Sequence, residues 1–296
     1  MKNDSPGKQF AQLIEKKPLL LPGAFNALSA QLIEQAGFEA VYISGAGLAN
    51  GVAGLPDIGL LSLTEVIAQV AYIINAVKVP AIADADTGYG EGLHFCRAVR
   101  TFEATGVAGI QIEDQVFPKR CGHLSGKSLI AARAMAAKVK AAVETRSDPN
   151  FIIVARTDAR GVTGFDDAAD RAKRYMDAGA DMIFPEALQS EKEFEDFARA
   201  VNAPLLANMT EFGVSPVLSA DTLFEMGYRV VLFPMSLFRI AAGAMSEALA
   251  QIKKDGGTRE LLHQMQCRKD LYRLIGYDVF EARDREMGKD SSCREG

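Results

Sequence analysis

Asp84-Ala85-Asp86 is the sharpest chemical signal in the chain. In an extended segment, side chains two apart point to the same face. Two carboxylates held together repel each other, and a hard divalent cation relieves that repulsion. Magnesium suits such a pair, binding one or two carboxylates together with waters and substrate oxygens, with manganese as the alternative. Thr87-Gly88-Tyr89-Gly90 follows and supplies a turn that lets a ligand approach the backbone. Glu113 and Asp57 are expected to hold metal-bound waters from a second layer. The competing reading makes the two aspartates helix caps.

Lys119-Arg120-Cys121-Gly122-His123 is the second signal. A thiol flanked by two cations and an imidazole is expected to favour its thiolate. The surrounding segment, Val116 to Ser128, contains Gly122 and Gly126 and has the composition of a movable lid. The plainer reading of a lone cysteine, a small buried hydrophobe, is kept for Cys96, Cys267 and Cys293. His94 and His263 read as ordinary helix residues.

These groups need a frame. Short apolar runs alternate with amphipathic segments, and strands are expected at Leu19–Leu21, Ala40–Ile43, Ala81–Asp84, Gly109–Glu113, Phe151–Ala155, Met182–Pro185, Leu205–Asn208 and Val230–Phe233. Ser62 with Glu65, and Ser190 with Glu193, have the spacing of capping boxes that open the intervening helices. Pro18, Pro80, Pro149 and Pro204 precede alternate strands, and Gly37, Gly106, Gly179 and Gly227 close the helices before the others. Four copies of a two-strand unit predict a (β/α)8 TIM-type barrel. An open doubly wound sheet is the alternative, weakened because no glycine-rich dinucleotide fingerprint opens the first unit.

A barrel works at the carboxyl ends of its strands. Those ends carry Ser44, Asp84 with Asp86, Glu113 with Asp114, Arg156 with Asp158, Glu186, Asn208 with Thr210, and Ser236 with Arg239 beyond. Loops are polar in general, but so many acids ending apolar strands point to a site.

Composition narrows the classes. The chain has 296 residues, 48% hydrophobic and 24% charged, with a net charge of -5, which fits a packed globular protein and excludes a disordered one. A mild acidic excess without long basic clusters argues against nucleic acid as partner. The uncharged stretch Ala40 to Pro56 is glycine-rich and shorter than the ~20 residues of a membrane helix, so no membrane role is expected. No export signal is read at the start, and the cysteines lack the spacing of a disulfide framework or a zinc site. A reduced, cytoplasmic setting is expected. Residues 1–296 read as one barrel domain, with 258–285 a helical extension whose Leu261, Leu262, Met265, Leu271 and Leu274 should pack on the barrel or on another subunit. Ser291 to Gly296 reads as a loose end.

From about Pro18 to about Gly276 the chain resembles the isocitrate lyase and phosphoenolpyruvate mutase superfamily. The resemblance rests on Ser44-Gly45-Ala46-Gly47, Gly54-Leu55-Pro56-Asp57, Asp84 to Gly90, and Ile112-Glu113-Asp114-Gln115. It extends through Ala155-Arg156-Thr157-Asp158, Phe184-Pro185-Glu186-Ala187 and Asn208 to Gly213. The Lys119 to His123 motif marks the lyase branch, and the compact barrel favours the methylisocitrate-cleaving members.

The resemblance implies magnesium-dependent, reversible cleavage of 2-methylisocitrate to pyruvate and succinate, as in propionate catabolism by the methylcitrate cycle. Asp84 and Asp86 would hold the metal, and Cys121 would donate a proton to the succinate carbanion. Ser44, Gly45, Ala46, Gly122, Asn208, Met209 and Thr210 would bind the substrate together with Glu186, and Arg156, Arg239 and Arg268 would supply cations. It also implies a homotetramer whose C-terminal helices exchange between subunits. Isocitrate lyase, or a hydrolase or decarboxylase of oxaloacetate-like acids, is the rival within the superfamily, with the Cys121 loop as discriminator. A non-catalytic scaffold barrel is the rival outside it, and it predicts a damaged constellation.

Overall fold

The computed structural model describes residues 4–292, so Cys293 and most of the expected loose end lie outside the described residues. Its frame is eight strands: β1 (Leu19–Ala24), β2 (Val41–Ile43), β3 (Ala81–Asp84), β4 (Gly109–Glu113), β5 (Ile152–Thr157), β6 (Met182–Pro185), β7 (Leu206–Asn208) and β8 (Val230–Phe233). All pairings are parallel, in the order β6-β5-β4-β3-β2-β1-β8-β7. The ring closes through a parallel bridge between Ile183 and Leu205, where Ile183 N–H donates to the Pro204 carbonyl at 3.0 Å. This is the expected (β/α)8 barrel, and the open sheet is excluded.

Helices α1 (Pro6–Lys16), α2 (Ala27–Gln35), α3 (Gly45–Gly51), α4 (Leu63–Ala76), α5 (Leu93–Ala104) and α6 (Ala132–Thr145) fill the first half. In the second half lie α7 (Phe165–Asp177), α8 (Glu191–Ala200), α9 (Ala220–Glu225), α10 (Ser236–Asp255), α11 (Arg268–Leu274) and α12 (Tyr277–Ser292). Ser62 and Glu65 form the expected capping box on α4. At α8, Ser190 caps alone: Glu193 instead takes Gln189 N–H at 2.8 Å and forms a salt bridge with Arg160. The four helix-closing glycines all adopt positive φ, from +89° at Gly37 and Gly106 to +102° at Gly179.

Helix α1 was not anticipated. Ser5 caps it and Pro6 occupies its first turn. Its Phe10 and Ile14 are buried among Leu19, Leu21, Ile152, Met182, Leu206 and Leu232, so α1 plugs the barrel. Each such side chain contributes about 1.5–3 kcal/mol when buried.

Strand alternation sorts two cores. Tyr42, Ile82, Val154, Phe184, Leu206 and Leu232 face the barrel interior with the α1 plug. Val41, Ala83, Ile112, Ala155, Ile183 and Ala207 face the surrounding helices. Continuing each interior row to its carboxyl end leads to Ser44, Asp84, Arg156, Glu186 and Asn208, two residues beyond an interior apolar side chain in each case. Glu113 occupies the same register on β4, two residues beyond Gln111, which accepts a bond from Tyr42 OH at 2.9 Å.

The chain divides into two compact units, residues 1–239 and 240–296. In the second, Thr258 to Ile275 is helical in two pieces, a 3-10 helix (Arg259–Gln264) and α11. Tyr272 and Tyr277 stack there with ring centroids 4.7 Å apart, while Leu262, Met265, Val279 and Phe280 are exposed. No helix among the described residues is long and apolar enough to cross a membrane.

Candidate active site

Asp84, Asp86 and Glu113 each place a carboxylate oxygen within 4.8 Å of the other two, and this cluster could hold a metal ion. Strand alternation does not bring the aspartates together, contrary to the sequence argument. Asp86 lies beyond β3 in the left-handed region, φ +47°, and donates its N–H to Asp84 Oδ1 at 3.1 Å. Neither aspartate caps a helix: α5 starts after Gly92, without a side-chain cap. Burial, then the Asp86 charge, pushes the Asp84 carboxyl up to about 6. Burial likewise raises Glu113 well above the usual range, and its buried Oε1 has no hydrogen-bond partner. An under-neutralised set of hard oxygens, one of them unpartnered, fits a divalent cation. Glu113 thus lies in the same carboxylate cluster as the two aspartates.

Asp57 is tied to Lys119, whose ammonium also lies 2.8 Å from Asp86 Oδ1. Burial opposes that charge, but Asp86, Glu113, Asp57 and Asp84 hold the lysine charged. On the other side, Gly45 at the start of α3 touches the acids. A methyl group there would lie 2.9 Å from Asp84 Oδ2, so the close approach requires glycine. Ser44 caps α3 through Gly47 N–H at 3.1 Å and donates to Met235 Sδ at 3.4 Å, and Ala46 follows in the first turn.

The loop after β4 is closed at its base by Val116 N–H donating to the Ser128 carbonyl, 2.8 Å, and by paired bonds between Gln115 and Arg120, both 2.9 Å. It folds onto the rim so tightly that a methyl at Gly122 would meet Glu186 Oε1 at 2.1 Å and Arg156 Nη2 at 2.3 Å. The expected activation of Cys121 is overturned. Lys119 turns to the acids, the Arg120 guanidinium lies toward Gly126, and burial keeps His123 below the usual imidazole range, hence neutral. Burial raises the Cys121 thiol above its ordinary value, and the His123 backbone and the Arg156 charge pull it back only in part. His123 Nδ1 accepts from Val214 N–H at 3.1 Å, which assigns the ring proton to Nε2, 3.3 Å from Glu186 Oε1.

Arg156 organises the far wall. Its Nε and Nη2 donate to Asp158 at 2.9 and 3.1 Å, and it lies 3.3 Å from Glu186 and 3.6 Å from Glu113. Burial raises Asp158, but Arg156 and Lys127 outweigh it and hold that carboxyl at about 2. Asn208 Nδ2 donates to Glu186 Oε2 at 3.1 Å and leaves a buried Oδ1 without a partner. Arg239 donates to Thr210 Oγ1 at 3.0 Å and to Glu211 at 2.6 Å, with Ser236 also bonded to Glu211.

Of the other expected residues, Met209 is turned from the rim and Arg268 belongs to the second unit. Met209 points outward into the helix-facing core, its sulfur accepting from Leu218 N–H at 3.4 Å, because it is one step out of register with Asn208 and Thr210. Arg268 is exposed at the start of α11 in the second unit. Sequence reasoning missed that Lys119 pairs with Asp57 and Asp86 and that Glu211 anchors Arg239. Among the described residues, the four non-glycine residues with positive φ are Asp86, Tyr89, Ala187 and Phe212, all just past strands β3, β6 and β7. Backbone strain thus gathers at the rim. A cleft of about 560 Å³ opens beside Asp86, walled by Leu60, Leu61, Tyr89 and Phe117.

A parallel eight-stranded barrel with a metal-competent acid cluster and a buried arginine at its carboxyl rim has the form of a barrel enzyme. Residues 10–253 match the family described as phosphoenolpyruvate phosphomutase, and the chain belongs to that family, within the PEP mutase/isocitrate lyase superfamily. It is 48% identical to the 2-methylisocitrate lyase of Aeropyrum pernix, over 97% of this chain and 92% of that protein. A crystal structure of 2,3-dimethylmalate lyase superposes with a TM-score of 0.90 at 34% identity, covering 96% of each chain. A phosphonopyruvate hydrolase complex with oxalate and Mg++ superposes at 0.85, with 29% identity over 94% of this chain and 98% of that one.

Proposed function

We propose that this chain is a carbon–carbon lyase that cleaves 2-methylisocitrate reversibly to pyruvate and succinate, with Mg2+ held by Asp84, Asp86 and Glu113. The observation that carries the reading is the seating of the Cys121-Gly122-His123 loop on Arg156 and Glu186, beside the acid cluster. The naming of its relatives as 2-methylisocitrate lyases, and a magnesium–oxalate complex of a structural neighbour, support it. When bound, the metal supplies Lewis-acid polarisation at the 2-hydroxy-acid end.

The chain's own residues do the rest. Arg156 and Arg239 bind carboxylates, and Ser44, Gly45, Ala46, Gly122, Asn208 and Thr210 orient them by hydrogen bonds. Met209 contributes through its backbone alone. Glu186, held between Asn208 and Arg156, faces the hydroxyl end. As the substrate hydroxyl gives up its proton to solvent and its oxygen becomes the ketone of pyruvate, the C–C bond breaks and its electron pair stays on the succinate half. Cys121 gives that carbon its thiol proton and regains one from solvent. The burial that defeats a resting thiolate suits an acid, because the proton is in place at neutral pH.

Exposed Leu262, Met265, Val279 and Phe280 support assembly with further copies of the chain, which we infer to be a homotetramer. The unpaired state of Cys96, Cys121 and Cys267 suits a reducing, cytoplasmic setting. The deciding experiment follows pyruvate release from 2-methylisocitrate with magnesium and with EDTA, and substrate consumption with isocitrate or oxaloacetate in its place. Pyruvate only with magnesium and 2-methylisocitrate is expected; turnover of oxaloacetate alone overturns the reading.

A further inference from the structure

Lys127 lies in the loop that carries Cys121, and none of the chemistry above uses it. Its ammonium donates to Asp158 Oδ1 at 2.9 Å and to the Gly122 carbonyl, with the side chain 2% exposed. Gly161, in the 3-10 turn after β5 (Ala159–Gly161), closes over it: a methyl there would stand 3.3 Å from Nζ. A buried ammonium is strongly disfavoured unless it is paired and hydrogen-bonded. One of its two acceptors belongs to the rim and the other to the loop, and both are in reach only while Gly122 lies against Arg156 and Glu186. The rim acceptor also fixes the arginine, because Asp158 takes Nε and Nη2 of Arg156.

We propose that Lys127 is a positioning residue that latches the Cys121 loop to the seated Arg156–Asp158 pair, so that the thiol is presented only when the substrate-binding arginine is in place. Other ties hold the loop's other parts: Gln115 to Arg120 at its base, Lys119 to Asp57 and Asp86 beside the acid cluster, and His123 to Val214 at its far side. Lys127 joins the loop to the charged wall of the barrel mouth. The proposal rests on the lyase reading for its kinetic consequence, but not for its geometry.

The test compares the full-length wild-type protein with Lys127→Met, reading iodoacetamide labelling of each cysteine by mass spectrometry without substrate. Half-buried Cys96 on α5 reports general loosening. Loss of a charge-assisted bond is expected to speed Cys121 labelling at least about tenfold with Cys96 unchanged. With substrate and magnesium, kcat should fall about a hundredfold and KM far less, because a small misplacement of a reacting group carries that factor. Lys127→Arg, which keeps charge and donors, should restore the protection of Cys121. Unchanged Cys121 labelling in Lys127→Met, or equal acceleration at Cys96, overturns the latch. If Lys127→Met does not fold, Lys127→Gln carries the same comparison. Labelling needs no substrate, so it reads the latch even if the chain proves to cleave a different acid.

Discussion

Glu113 and Asp114 are consecutive buried acids at the end of β4 and belong to opposite worlds. Asp114 points outward and is met on every side: Thr157 Oγ1 donates at 2.8 Å, Asp158 N–H at 2.9 Å, Tyr175 OH at 2.7 Å and Arg171 at 3.2 Å. Burial and the Asp158 charge push its carboxyl up, and these bonds pull it back. Glu113 points inward. It has Arg156 no nearer than 3.6 Å, an unpartnered Oε1 and two further carboxylates beside it. Burial alone does not separate structural from functional acids. Satisfaction does, because a folded chain completes the groups it keeps for itself and leaves open those that await a ligand.

The largest expected effect tests the open side. Asp84→Ala should abolish turnover, a loss above about 10³-fold, because several kcal/mol of charge stabilisation go with the metal. The metal-free protein should melt no lower than wild type, since one of the crowded acids has gone. Calorimetric titration with magnesium checks the first statement and a melting curve the second. Normal affinity and rate would remove Asp84 from the site.

Asp114→Ala should do the reverse. It leaves Arg171 buried at the helix-facing side with its charge less compensated, at a cost of about 3–5 kcal/mol, while residual folded protein still binds magnesium. Urea unfolding monitored by circular dichroism reads the loss. If Asp114→Ala melts like wild type yet no longer binds magnesium, the division between the two acids fails.

Both acids were visible in the sequence at the same expected strand end, where Glu113 alone was expected beside the metal. Their separation needed the parity of β4, which the interior row of β7 also uses to send Asn208 and Thr210 inward and Met209 outward. Strands and rim were legible because parallel barrel strands are near-continuous apolar runs ending at polar loops. Helix α1 was overlooked because its sequence is mostly polar, and Phe10 and Ile14 alone carry its buried face. The thiolate at Cys121 was misread because proximity along the chain was taken for proximity in space: Lys119 points away to Asp86. Lys127 had no legible signal, since a lysine in a glycine-containing loop is normally solvated.

A half-buried, protonated Cys121 also has a measurable signature. Its folded pKa is raised, so the thiolate fraction at a given pH is smaller than for an ordinary exposed thiol and becomes full only above the ordinary thiol range. Iodoacetamide labelling of Cys121 should still be climbing with pH where an ordinary thiol, with a pKa of about 8.5, has levelled off. A plateau near neutrality would restore the thiolate reading. For the reaction itself, Cys121→Ser should lower the rate by about 10²–10⁴-fold, the span of general acid catalysis, with substrate binding retained.

The smallest effect is the sharpest test of the two neighbours. Glu113→Gln keeps the shape of the side chain and removes a charge that the metal-free fold does not satisfy. The metal-free protein should therefore change by less than about 1 kcal/mol, in either direction, since Arg156, its 3.6 Å partner, keeps its hydrogen bonds to Asp158. The difference should appear when magnesium is added. A ligand that binds only the folded state stabilises by about 2.7 kcal/mol at one hundred times its dissociation constant. Wild type should gain that increment at a concentration where Glu113→Gln gains little, because one of three carboxylates has become a neutral amide. Melting curves with and without magnesium read both numbers on the same samples. If Glu113→Gln gains as much as wild type, Glu113 is not a ligand. If instead it melts far lower without metal, as Asp114→Ala should, then the inward acid is structural too, and satisfaction would not be what divides them.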